Sequence, residues 1–298
     1  MGLSGIYLAQ LIGNALYVVA LFGYTVKNSS IFLNFKVFRE MNLYGLPLFL
    51  GSVSAVALSA VDRFALNGLS VLKSVAIYTL AYKISSVLKV VIADSVKFAV
   101  GPLILKKMDA SDNRLFYAKT LLYSSYIMMI AIVGISAFSL EIIDLITKTD
   151  TFSKALVIVP VLSISIFFMN MKEVTIYGLH IAKKSKIIGI IIIISTVVSI
   201  LLNLLLIPLW DITGAAVATL LSQIFYWGVC YWYAQKAYKI PYETGKILIL
   251  LITGILFSYL TLLFNDMALI PRLALKTASI AAFPVILYYL KFYDDVEI

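Results

Sequence analysis

The stretch VAIYTLAYKISSVLKVVIADSVKFAVGPLI, residues 75–104, decides the fold. It is longer than the roughly 20 residues a helix needs to cross a hydrocarbon core of about 30 Å. Its only charges are Lys83, Lys89, Asp94 and Lys97. An ionisable side chain at the centre of a bilayer costs about 2.5–3.5 kcal/mol on insertion scales, so such groups face a protein interior or a water-filled cavity. The stretch therefore predicts a membrane helix with one side on a polar interior.

At 100° per residue from Lys83, the residues Thr79, Ser86, Val90, Asp94 and Lys97 fall within about 60° of it, and Lys89 falls about 120° away beside Tyr82. From Lys83 to Asp94 the stripe covers about 16 Å of depth. Two readings stand. In one, an excess of lysine lines a cationic cavity that accepts an anionic group such as phosphate, which lysine binds as a point charge. In the other, Asp94 and Lys97 neutralise each other at i,i+3, while Lys83 and Lys89 reach an interface by snorkelling.

The rest of the chain agrees with a membrane setting. Of 298 residues, 62% are hydrophobic and 13% charged, with a mean hydropathy of +1.01, against about 45–50% and 25% in soluble domains. Nine apolar runs are marked, at about 3–24, 43–61, 75–104, 119–146, 155–180, 187–206, 213–235, 247–264 and 272–290, each long enough to span. The fold class expected is all-α, a multi-pass membrane bundle of about nine helices. The formal charge of +9 lies in short loops, where it sets topology and does not signal nucleic acid. One cysteine, Cys230, and one histidine, His180, exclude an internal disulfide and a His/Cys-only metal site within one chain. Neither a metal nor any other cofactor is expected.

Alternate connections differ in basic content. Fourteen residues fall on one set: Lys27, Lys36, Arg39, Lys106, Lys107, Arg114, Lys119, Lys183, Lys184, Lys186, Lys236, Lys239, Lys246 and Lys291. Six fall on the other: Arg63, Lys73, Lys148, Lys154, Arg272 and Lys276. The richer side is expected to be cytoplasmic, which puts Met1 outside and Ile298 inside. An N-out start without a basic flank suggests the C-terminal part of a longer protein.

Other charges lie near membrane ends. Asp62 and Arg63 close the second run, as an interfacial ion pair of little energetic worth or as a charged pair at the outer mouth of the cavity. Lys172 and Glu173 are adjacent and so point about 100° apart: one can face a lumen while the other snorkels. Glu141 and Asp144 read as interface residues. Pro208 and Trp210 end the sixth run, Gly214, Ala215, Ala216 and Ala218 give the seventh a face for close approach, and Gly101–Pro102 is a candidate kink.

Three pieces taken together, LYGLPLFLGSVSAVALSAVDRF (43–64), VAIYTLAYKISSVLKVV leading into FAVGPLILKK (75–107) and LLNLLLIPLWDITGAAVATLLSQ (201–223), resemble the C-terminal half of Wzx-type polysaccharide flippases of the multidrug/oligosaccharidyl-lipid/polysaccharide exporter superfamily. The resemblance implies residues 1–42 as the last helix of a first lobe plus a cytoplasmic linker, 43–236 as a six-helix lobe, and 237–298 as two additional helices and a short cytoplasmic tail. It implies a transporter, not an enzyme, that moves an undecaprenyl-diphosphate-linked oligosaccharide across the bacterial cytoplasmic membrane for surface polysaccharide such as O-antigen. Lys83, Lys97 and Lys89 would bind the diphosphate and Arg63 would add charge at the outer mouth. Asp94, Asp62 and Glu173 would tune the lysines or carry a coupling ion. The partners implied are the lipid-linked substrate, membrane lipid, and a missing N-terminal lobe or polysaccharide assembly proteins. The rivals are a drug or cation antiporter of the same superfamily, a half-protein that needs a partner, and a membrane-embedded polysaccharide-processing enzyme.

Overall fold

The computed structural model describes residues 2–29, 34–106, 113–147 and 150–293. Every regular element among them is helical. Lys107, Lys148 and the tail 294–298, which enter the charge count and the topology, lie outside the described residues.

Two compact units divide the chain at Leu43/Tyr44. The first holds α1 (Gly2–Asn28) and the first turns of α2 (Phe35–Leu58). The helix α2 begins eight residues before the expected run because Asn34 caps it, its Oδ1 accepting from the amides of Lys36 and Val37 at 3.0 and 3.4 Å. Lys36 and Arg39 are therefore helical, not loop residues.

The second unit contains the rest of α2, then α3 (Val61–Leu69), α4 (Leu72–Leu88), a π turn at Lys89–Ala93 and α5 (Asp94–Lys106). These are followed by α6 (Asn113–Ala137), α7 (Ser139–Thr147), α8 (Ala155–Thr175) and α9 (Tyr177–Ile181). The last three are α10 (Ser185–Ala237), α11 (Thr244–Leu262) and α12 (Leu269–Tyr289). Eight helical stretches among the described residues are long and apolar enough to cross a membrane. The longest, α10, breaks at Asp211, where φ is 50° and ψ −125°, so its arms 185–210 and 212–237 are two spans. Nine candidate spans result among the described residues, in the number the apolar runs predict.

Why α8 sits at the centre follows from its sequence. Its Ser163, Ser165, Asn170, Lys172 and Thr175 are all buried, and polar side chains within a span face the interior of the bundle, away from lipid. This helix is the most enclosed of the spanning helices. Around it, α4, α6 and both arms of α10 pack through two apolar clusters, one centred on Leu121, Met128, Phe167 and Phe257, the other on Tyr78, Leu162, Ile207 and Ala215. The small-residue face is used: Ala215, Ala216 and Ala218 are fully buried. A Cβ on Gly214 would lie 2.1 Å from the Leu206 carbonyl oxygen, so only glycine lets the arms fold back so closely.

The reversal at Asp211 is clamped from the end of α3 and the start of α4. Ser70 and Ser74 donate to its two carboxylate oxygens at 2.5 and 2.7 Å. A left-handed φ at a non-glycine residue persists only where its surroundings over-determine it, and these two hydroxyls do that.

Ion groups tie the last two helices on. At one end of α11, Glu243 pairs with Lys119 of α6 at 3.1 Å and with Lys246 at 2.9 Å. At the opposite end of the bundle, Lys276 of α12, with no exposed surface, donates to both oxygens of Glu141 at 2.8 Å, and Arg272 Nε lies 3.1 Å from the same carboxylate. These three residues correct the expectation of a loop cation and an interface anion. They form a triad between α7 and α12 in which Lys276 is buried and Glu141 and Arg272 are half-buried.

Orientation has a direct test. Thr151 and Lys184 are both exposed and flank the α8–α9 span. With Cys230 replaced, Thr151→Cys is expected to react with an impermeant maleimide in intact cells and Lys184→Cys only after permeabilisation. The reverse pattern overturns the assignment of the lysine-rich side.

Candidate functional site

Between α3, α4, α5, α8 and the second arm of α10 lies a cavity of about 210 Å³. Six charged residues line it: Asp62, Lys89, Asp94, Lys97, Lys172 and Glu173. Tyr82, Thr219, Gln223 and Tyr226 complete its polar wall.

The π turn explains which residues of residues 75–104 reach it. One extra residue in a turn sets everything downstream back by about 100°. Asp94 and Lys97 then fall near −80° and −140° from Lys83, against −120° for Lys89 and −100° for Tyr82, so the four share an arc of about 60°. These four are the residues of this stretch that line the cavity. Lys83 is exposed and does not line it. The ideal-helix stripe grouped Lys83 with Asp94 and Lys97 and set Lys89 aside; the structure groups Lys89 with them instead. The irregularity falls at Lys89–Ala93, and the helix continues through Pro102.

Among the described residues, neither Asp94 nor Lys97 lies within ion-pair distance of an opposite charge. The i,i+3 neutralisation considered for them is not formed.

Lys172 and Glu173 do not point apart. Both line the cavity, and Lys172 Nζ lies 2.5 Å from Glu173 Oε1. The lysine is only 9% exposed, and its ammonium sits 5.1 Å from the centre of the Tyr226 ring. Glu173 also feels the charges of Lys97 and Lys89. Lys172 is buried within the bundle, so it takes its neighbour's carboxylate in place of an interface.

Asp62 is buried at the wall, in α3, outside the apolar spans. It accepts from the Tyr78 hydroxyl at 2.5 Å and from the Arg63 amide at 2.8 Å, and Tyr78 also meets Thr219 at 3.1 Å. Burial pushes its carboxyl above the ordinary range, against the opposing pull of Tyr78 and Arg63. Arg63 does not line the cavity but braces it. Its guanidinium lies 4.4 Å from the Tyr82 ring centre, donates to the Ser59 carbonyl at 2.6 Å and approaches Asp62 at 3.7 Å.

Three lysines thus face three carboxylates, and the expected lysine excess is absent from the lining. Thr219, Gln223 and Tyr226 were missed, yet their signal is in the sequence: i, i+4 and i+7 place three polar groups on one face of a mainly apolar arm. Among the described residues Gln223 Oε1, in the cavity wall, is buried without a hydrogen-bond partner.

Among the described residues the helices form a multi-pass membrane bundle with a charged cavity sunk among its spans. Residues 1–108 match a family model described as "Polysaccharide biosynthesis protein". The fold is that of a solved lipid II flippase, MurJ, in an inward closed conformation: the TM-score is 0.69 at 15% identity, over 95% of this chain and 61% of that one. The chain therefore spans 61% of the length of that flippase. No curated protein matches it. The family match and the fold both agree with the resemblance read from the sequence.

Proposed function

We propose that this chain is the cavity-bearing part of a flippase that moves an undecaprenyl-diphosphate-linked oligosaccharide across the bacterial cytoplasmic membrane for surface polysaccharide synthesis. The observation that carries the reading is the cluster Lys89, Lys97 and Lys172, held within the membrane spans around a cavity large enough for a small polar group. Lysines within a span are costly unless they meet anions; Lys172 has Glu173, and Lys89 and Lys97, which form no ion pair among the described residues, are left for a diphosphate. Beside it, among α6, α8, α10 and α11, an apolar cavity of about 490 Å³ lined by residues such as Phe167, Trp227 and Leu251 suits hydrocarbon. In this reading residues 43–236 are a six-helix lobe, 1–42 the last helix of a first lobe plus a cytoplasmic linker, and 237–298 two additional helices and a short tail. Such a site is completed by an opposing lobe, and rocking of the two changes access.

One observation favours a second reading, a cation antiporter of the same superfamily: the carboxylates Asp62, Asp94 and Glu173 equal the lysines in number.

Complementation separates the two. In a host lacking its polysaccharide flippase, the chain joined to a first lobe is expected to restore surface polysaccharide, and the chain alone is expected not to. Restoration of drug or cation efflux without polysaccharide favours the antiporter. Full restoration by residues 1–298 alone overturns the need for a second lobe.

A further inference from the structure

The resting cavity neutralises itself, and one of its carboxylates is placed to leave. We propose that Glu173 is a resident counter-anion that an incoming ligand displaces, so that the cavity admits groups with two or more negative charges and turns away singly charged ones. This rests on the reading that an anionic group enters the cavity.

Three features single out Glu173. The first is that its bond to Lys172 joins neighbouring residues of one helix. It ties no two elements together, unlike Glu141 with Lys276, and it can break without loosening the bundle. The second is that Lys172 keeps a second partner, the Tyr226 ring at 5.1 Å, so the ammonium stays in place when the carboxylate swings away. The third is that Glu173 shares the cavity wall with Lys89 and Lys97, which have no ion-pair partner among the described residues, so its departure removes a negative charge that offsets theirs at a distance. By contrast Asp62 is held by Tyr78 and by the Arg63 amide.

The selectivity follows from counting charge. A buried ammonium needs an anionic partner. A singly charged ligand that replaces Glu173 exchanges like for like and gains no attraction. A diphosphate replaces the charge that Glu173 supplied to Lys172 and brings at least one more for Lys89 and Lys97. The carboxylate thus sets a threshold of charge for entry.

The test uses the 298-residue chain in nanodiscs of neutral phosphatidylcholine, titrated calorimetrically with inorganic pyrophosphate and inorganic phosphate at about pH 5, where phosphate carries one negative charge and pyrophosphate two. The wild type is expected to prefer pyrophosphate by more than about tenfold. In Glu173→Gln the affinity for phosphate is expected to rise about tenfold and the preference to shrink to within about threefold. Glu173→Asp, which keeps the charge near Lys172 and so guards against a variant that fails to accumulate, is expected to fall between. A purely structural role for Glu173 predicts weaker binding of both anions with the preference unchanged, and that result overturns the proposal. Pyrophosphate binding that is lost in Lys89→Ala and Lys97→Ala but indifferent to Glu173 sinks this inference alone. A wild-type protein that binds no pyrophosphate sinks the anion-binding reading with it.

Discussion

Lys89→Ala and Lys97→Ala are each expected to lower transport by about ten- to a hundredfold, while Lys83→Ala changes it less than about twofold. Hydrogen bonds to charged groups contribute about 1.5–3 kcal/mol each, and every 1.4 kcal/mol is about a factor of ten. Lys89 and Lys97 share the cavity wall, and Lys83 does not line it. An ideal helix predicts the opposite order for Lys83 and Lys89, so this series also tests the π turn at Lys89–Ala93. Lys→Arg at 89 and 97 should retain more activity than Lys→Ala, because the cation matters first and its shape second. The measurement is surface polysaccharide normalised to membrane protein in the two-lobe transporter. Equal damage from Lys83→Ala and Lys97→Ala refutes the rephased face, and normal transport in the Lys89→Ala, Lys97→Ala double variant removes the cationic site.

Glu141→Gln is expected to lower stability by about 3–5 kcal/mol, the cost of removing one partner from a buried ion pair. It strands Lys276, which has no exposed surface, and Arg272 together. The double change Glu141→Gln, Lys276→Met leaves less charge uncompensated and is expected to recover most of that loss, since apolar isosteres often replace buried pairs at little cost. Unfolding of the purified protein in a denaturing detergent series reads both. Limited proteolysis of the connection between α11 and α12 should expose α12 first in the single variant. A Glu141→Gln protein as stable as the wild type would show that α12 is held by its apolar face, through residues such as Phe283 and Leu287, and not by the triad.

Much of the fold was legible because a membrane imposes a length rule. Each run had to supply about 20 apolar residues to satisfy its backbone in hydrocarbon, so nine crossings and the break near Pro208–Gly214 could be read off composition and punctuation alone. Helix ends were less legible. Asn34 starts α2 early through a side-chain cap, a local hydrogen bond that hydropathy does not register.

The site was half legible. That charges within residues 75–104 had to face a polar interior follows from solvation, and Asp62, Asp94, Lys89, Lys97 and Glu173 do meet at one cavity. Which face they occupy was not legible. One additional residue in a helical turn moves everything downstream by about 100°, and no residue of KVVIA announces it. Nor could spacing show that Lys172 and Glu173 pair, that Lys276 is buried against Glu141, or that Asp211 is held by Ser70 and Ser74. By itself the sequence determined that these side chains had to leave the lipid. Their partners were decided by tertiary structure, because an ion pair or a hydrogen bond forms within about 3 Å, a distance set by how helices far apart in the chain are packed and turned against one another.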